Sequence, residues 1–381
     1  MDDLQTRLRL LDQARSYDIG FPGATDQQFG ALATLLTCFL INNVGDPWVD
    51  GIGDNHSKDA EREVVEFVAR LLRGDPDDQW GYVTTGGTEG NLYALFLARE
   101  LHPGAVVYYS RAAHPSIPKA IRLLGMESVC VLTDELTDVL DYNDLTDQLD
   151  RRRHRPAVVA CTAGTTLMEA HDDVAEVRHI LNTLAVRRSF VHVDAALSGI
   201  PLAVAADPAD RPRFDLTDGA DSITVSGHKF LGIPAPCGVV VTRDSYRRRI
   251  GGPAGYVGSP DDTISGSRSG HTALMLWDVI RRLGVDGLRK RALESWQLAE
   301  YTATRINALR WRVRRGPYSM TVALQTPPPS VLDRWKLARM GGWCHIVCVP
   351  GVQQVQIDAF VEDLADAIRT PARPAADAVS V

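Results

Sequence analysis

From residue 60 the chain alternates between two hydrophobic periods. "DAEREVVEFVARLLRG" carries apolar residues at helical spacing and stops at Gly74, after which "QWGYVTT" reads as a strand. "TEGNLYALFLARELH" then predicts a helix, "GAVVYYS" a strand, "HPSIPKAIRLLG" a helix and "SVCVLT" a strand. The alternation continues through "RPAVVACTAG", "DVAEVRHILNTLAV", "SFVHVDA", "DSITVSG" and "CGVVVTR". Strands this apolar and β-branched need cover on both faces. The pattern therefore predicts an α/β fold with a mainly parallel sheet between two helical layers.

Beyond "GSRSGH", which ends at His271, the texture changes to one long helical stretch, "ALMLWDVIRRLGVDGLRKRALESWQLAEYTATRINAL". Shorter strands "MTVALQT" and "WCHIVCVP" and a last helix "QIDAFVEDLADAIRT" follow. The expected organisation is an N-terminal segment over 1–50, a large domain over 51–272 and a smaller C-terminal α/β domain over 273–370. A disordered Ala- and Pro-rich tail over 371–381 completes it.

Composition narrows the classes. Apolar residues make up 45% and charged residues 23% of the 381, a globular profile. The net charge of −7 argues against a nucleic-acid binder, and the basic run Arg151 to Arg155 reads as a solvated helix end. No apolar run is long enough to cross a membrane, and the N-terminus lacks a signal-peptide core. Six scattered cysteines, several in apolar runs such as "VCVL" and "HIVCVP", read as reduced, buried thiols of a cytoplasmic protein. No metal is expected: Cys344, His345 and Cys348 fall in a strand-like stretch that turns successive side chains to opposite faces.

Chemistry gathers behind the strands, where open α/β sheets bind ligands. "TTGGTEGN" (84–91) follows a strand and opens a helix, with Gly86, Gly87 and Thr88 placed to offer backbone amides to a phosphate. It lacks both the GK[ST] ending of a nucleotide loop and the GxGxxG spacing. Asp194 ends the apolar strand of "HVDAALSG", and small residues beside it leave room for a flat ring. Lys229 in "VSGHKFLGIP" sits among small and apolar neighbours, where desolvation makes an amine nucleophilic. A phosphate cradle, a ring-facing carboxylate and an amine, in that order, describe a site for pyridoxal 5′-phosphate.

With "YYSRAAHPSIPKA", "AGTT" and "GSRSGH" added, the sequence resembles the group II pyridoxal-dependent amino-acid decarboxylases. It is most similar to the branch that holds bacterial histidine decarboxylase and plant serine decarboxylase. The resemblance runs from about Tyr17 to about Ile368. It implies a fold type I enzyme with a seven-stranded large-domain sheet, releasing carbon dioxide from an L-amino acid to leave the amine. It implies that Lys229 holds the cofactor, Asp194 pairs with the ring nitrogen, His114 stacks on the ring near the substrate carboxylate, and Ala196 lies under the opposite face. Gly86, Gly87, Thr88, Ser226 and His228 become phosphate ligands, and Thr165 or Thr166 touches the ring hydroxyl. Tyr256, in the Gly/Pro-rich "GGPAGYVGSPDD", is the candidate acid that reprotonates Cα. The resemblance also implies a homodimer with the site at the subunit interface, which "DTISGSRSGH" reaches through Ser267 and Arg268, with the N-terminal segment 1–50 contributing to the dimer and to the substrate pocket.

Several positions depart from that pattern. "ACTAGTT" lacks an asparagine-type residue before "GTT", Glu169 stands where glycine is expected, and "SRSG" replaces "SRNG". Asp50, Gly51 and Gly53 alter a stretch, Asn42 to His56, expected to line the substrate pocket. These changes touch the substrate: a free amino acid is expected, with an acidic or carrier-protein-tethered substrate as the alternative. A non-catalytic scaffold and an aminotransferase or other lyase on the same fold complete the alternatives.

Overall fold

The computed structural model describes residues 2–252 and 258–369. Helices α1 (Asp2–Arg15), α2 (Ala33–Cys38) and α3 (Lys58–Leu71) precede strand β1 (Trp80–Thr84). Then come α4 (Gly87–Leu101), β2 (Val106–Ser110), α5 (Ser116–Leu124), β3 (Glu127–Val131) and α6 (Tyr142–Asp150). The alternation runs on as β4 (Ala157–Thr162), α7 (Val174–Thr183), β5 (Ser189–Asp194), α8 (Gly199–Ala205), β6 (Ser222–Ser226) and β7 (Gly238–Thr242). These seven strands form one sheet in the order β1-β7-β6-β5-β4-β2-β3. Only β7 runs against the others.

The period-two alternation splits each strand between two cores. In β4, Ala157, Val159 and Cys161 face α3, α6, α7 and α8, whereas Val158 and Ala160 face α4 and α5. Complete burial of β4 and β7 explains why they read as unbroken apolar runs. Strand β3 is different: it lies at the sheet edge and exposes Cys130. The expectation that the thiol of "VCVL" is buried is corrected there, because an edge strand has a neighbour on one side only. Cys38 is exposed as well, and the other four thiols are buried and free.

After α9 (Asp244–Arg247) comes α10 (Gly270–Ala308), in which Gly284 breaks the helix with φ 58° and ψ −170°. A left-handed residue there suits glycine. Side chains from Ala273 to Trp296 pack with the large sheet, whereas Ala299 and Ile306 join the second core. The packing therefore changes over near Trp296, later along the chain than the change of texture at 272–273.

A second, antiparallel sheet has the order β10-β11-β9-β8, from β8 (Val313–Arg314), β9 (Thr321–Gln325), β10 (Arg339–Met340) and β11 (Trp343–Val347). Helices α11 (Pro329–Arg334) and α12 (Gln354–Arg369) pack on it, with Trp335 and Phe360 in their core. The N-terminal segment straps the two sheets together. Val347 donates its amide to Ile19, and Ala24 donates its own to the carbonyl of Lys229.

Candidate active site

Strands β4, β5 and β6 end side by side, bringing Thr162, Asp194 and Ser226 to one edge of the sheet. A cavity of about 420 Å³ opens at that edge, and Lys229, three residues beyond β6, lines it. Ending there puts Asp194 in the crevice beyond the carboxyl ends of parallel strands, while its own strand stays apolar.

A chain of side chains behind the cavity holds Asp194. Asn91, one turn into α4, donates through Nδ2 to Asp194 at 2.7 Å and to Ser116 Oγ at 2.9 Å. Its Oδ1 lies 2.9 Å from His192 Nε2, and His192 Nδ1 lies 2.9 Å from Ser222 Oγ. Burial pushes the His192 imidazole down to about 4, so it is neutral and its Nε2–H donates to Asn91. Ser116 Oγ in turn lies 2.8 Å from His114 Nδ1, which also accepts the Ser116 amide at 3.2 Å. With Nδ1 accepting, the neutral ring carries its proton on Nε2. Burial lowers the His114 pKa, with Lys229 adding to that and Asp194 opposing it. His114 lines the cavity and therefore brings an N–H donor to it.

Lys229 is half-buried, and loss of water lowers its pKa, against the pull of Asp194 and Glu169. A readily deprotonated amine in a cavity is what a nucleophile requires. Across the cavity, Gly87 and Thr88 form the first turn of α4, whose amides have no partner within the helix. A Cβ on Gly87 would stand 3.0 Å from Ser226 Oγ and 3.6 Å from Ala196 Cβ, so glycine keeps that end open. Gly86 serves behind them as the N-cap, at φ 151° and ψ 173°, and does not line the cavity. Ser226, His228, Ala196, Thr165 and Thr166 all do. Thr165 Oγ1 accepts the Ala170 amide at 3.0 Å, and His228 Nδ1 lies 2.9 Å from the Cys237 carbonyl.

Of the facing wall, only a contribution from the N-terminal segment was read from the sequence, without its residues. Gly20, Phe21 and Pro22 from the N-terminal segment, Thr321 from β9, Ala338, and His345 and Val347 from β11 complete it. His345 Nε2 sits 3.1 Å from the Gly20 carbonyl, which leaves Nδ1 as an acceptor. From the sequence, His345 is considered only beside Cys344 and Cys348, and is given no part in the cavity. Asn91, Ser116 and His192 were also missed, although each stands inside a quoted motif.

Other expected contributors lie elsewhere. No residue from Asn42 to His56 lines the cavity of its own chain. Asn42 instead donates to Ser267 Oγ at 3.1 Å on the surface. Arg268 is buried, paired with Glu61 and bonded to the Gly45 carbonyl, with its guanidinium over the Tyr82 ring. It pins the N-terminal segment to its own sheet instead of reaching outward. Tyr256 and the tail over 371–381 lie outside the described residues.

Residues 31–312 match the family model described as "Pyridoxal-dependent decarboxylase conserved domain". This chain belongs to that family. Histidine decarboxylase of Mesorhizobium japonicum is 40% identical over 93% of this chain and 95% of its own, and that of Morganella morganii 36% identical over 91% and 92%. Among solved structures, L-methionine decarboxylase of Streptomyces sp. 590 superposes with a TM-score of 0.86 at 26% identity, over 95% of this chain and 94% of its own. A sphingosine-1-phosphate lyase of Burkholderia pseudomallei, at 23% identity and TM-score 0.80, shares the fold.

The protein is thus a fold type I enzyme of pyridoxal-phosphate-dependent amino-acid decarboxylation. The cavity fits that cofactor on its own terms: an amine, a buttressed carboxylate and a helix N-terminus kept open by glycine converge on it. When bound, the cofactor supplies the electron sink for the pair released as the carboxylate leaves.

Proposed function

We propose that the enzyme decarboxylates free L-histidine, with Lys229 as the amine that holds the cofactor and Asp194 as the partner of its ring nitrogen. The supporting observation is the buttress from Ser222 to Asp194, which keeps a carboxylate at the sheet edge beside a desolvated lysine. Gly87, Thr88, Ser226 and His228 take the phosphate, Thr165 or Thr166 the ring hydroxyl, and Ala196 one ring face. His114, carrying its proton on Nε2, meets the substrate carboxylate from the other face.

Histidine is favoured by the relatives that bear its name and by the cavity itself. His345 keeps an acceptor free for a substrate N–H, and among the described residues Lys229 is the only Lys or Arg that lines the cavity, which offers an acidic side chain no further cation. The holoenzyme is offered carboxyl-labelled amino acids one at a time. Carbon dioxide is expected chiefly from histidine; faster release from serine or an acidic amino acid would reassign the substrate. A keto acid without carbon dioxide would point to transamination, and no turnover of any free amino acid to a tethered one.

The working unit is a cytoplasmic homodimer. The N-terminal segment exposes Phe39, Leu40 and Ile52 on two arms joined by the Asn42 amide and the Asn55 carbonyl, beside the loop that carries Ser267. Exposed apolar side chains of this kind suit burial by a second copy. Free cysteines accord with a reducing compartment, and no helix of the described residues is long and apolar enough to cross a membrane. Sedimentation should give twice 41.7 kDa, and L40E should shift it towards the monomer.

A further inference from the structure

Glu169 breaks two local rules at once. It is a non-glycine residue at φ 51°, in the left-handed region, and its carboxylate is buried. The buried carboxylate is compensated from far along the chain. Ser198, just before α8, donates to Oε1 at 2.8 Å. Thr321, at the start of β9, donates to Oε2 through its amide at 2.8 Å and its hydroxyl at 2.7 Å. Ser319 Oγ lies 3.1 Å from Oε2 and shares its single proton with the Thr321 carbonyl. The Glu169 amide closes the loop on the Thr165 carbonyl at 2.9 Å.

This carboxylate therefore stands directly behind the cofactor cavity, since Thr165 and Thr321 both line it and Glu169 holds one as a neighbour and the other as a donor. The residue also lines a second cavity of about 880 Å³, together with Met168, Ala170 and His171, so the 164–170 loop lies between the two cavities. Burial raises the pKa of this carboxyl group, and the three hydroxyls and the amide arranged around it pull the other way, towards its ionised form.

We propose that Glu169 is a positioning residue that clamps β9 of the small sheet onto the cofactor loop and places a second negative charge, besides Asp194, behind the nitrogen of Lys229. The groups facing Lys229 are then Asp194 from β5, Glu169 from the loop after β4, His114 from the loop after β2, the adjacent His228 and, from β11, His345. Those facing Glu169 are Lys229 and the Cys348 thiol. Burial lowers the Lys229 pKa, and a buried anion near the nitrogen works against that by favouring its protonated state, as Asp194 and Glu169 do here. Glu169 thereby helps to set the pH at which the nitrogen linking Lys229 to the cofactor loses its proton.

The inference rests on the reading that Lys229 carries the cofactor, and the test separates the two. The visible absorbance of bound cofactor is titrated against pH in the wild-type holoenzyme, in E169Q and in E169G, the last of which suits the left-handed backbone and keeps the test open if the glutamine variant does not fold. The midpoint should fall by about 0.5 to 1 pH unit in either variant. A residue that merely clamps the two sheets would raise KM or lower thermal stability and leave the midpoint in place. An unchanged or raised midpoint in a folded, cofactor-loaded variant overturns the role of Glu169 alone. Absence of any visible band in the wild type overturns the reading of Lys229 and this inference with it.

Discussion

One wall of the cavity is made of neighbouring strand ends and helix starts whose side chains bond one another, from Asp194 through Asn91 to His192 and to Ser116 and His114. The other is gathered from Gly20 to Pro22, Thr321, Ala338 and His345, more than 300 residues apart at the extremes and tied largely through backbone carbonyls. The first wall is anchored to a sheet buried on both faces, which suits chemistry that tolerates little displacement. The second hangs on connecting segments, which can vary without disturbing that sheet. On this reading the first wall determines whether the enzyme turns over, and the second what it accepts.

The strongest way to break that division is at Lys229. Lys229→Ala should lower turnover by at least about a thousandfold and abolish the visible absorbance of bound cofactor. Activity near the wild-type level would remove the basis of the proposed function. Asp194→Asn should keep the cofactor bound but cost about a hundredfold or more in kcat, because an amide cannot hold a proton on the ring nitrogen as a carboxylate does. A loss confined to KM would move Asp194 from the first wall's role to the second's.

Next in size is an effect on stability. The neutral His192 that supports Asn91 has its imidazole pushed by burial from 6.5 down to about 4. The unfolded chain takes up that proton near pH 6.5 and the folded chain resists it until about 4, so this contribution to stability is present above pH 6.5 and is lost as pH falls towards 4. It amounts to about 3 kcal/mol. Chemical denaturation followed from pH 7 to 4 should show the slope, and His192→Asn should flatten it; an identical slope in the variant would mean that His192 is not buried in its neutral form.

Smaller effects should appear on the second wall. His345→Ala or Phe21→Ala should change the ratio of kcat/KM between histidine and other amino acids by about tenfold, with the cofactor absorbance untouched. If either variant instead lost kcat as Asp194→Asn does, the two walls would not divide the work.

The first wall was largely legible, and the reason is local. Asp194 ends an apolar strand, and Lys229 and the Gly87 that opens α4 each come within three residues of the end of one. The seven strands were legible on the same ground. The break at Gly284 was not, since one glycine inside a helical period does not disturb the pattern. Exposure of Cys130 was not either, because an apolar run does not say whether its strand lies at the edge of the sheet.

By itself, then, the sequence determined the alternation of strands and helices, the seven strands of the large sheet, and the lysine, aspartate and histidine proposed to carry the chemistry. These are carried by residues close together along the chain, where periodicity and turn chemistry act. Tertiary structure alone decided which polar groups answer one another: Asn91 for Asp194 and His192, Arg268 for Glu61, Thr321 and Ser319 for Glu169, Gly20 for His345. A buried donor and its acceptor here lie from 101 to 325 residues apart, and what pairs them is the cost of leaving either one dry and unbonded, a cost that exists only once the chain has closed around them.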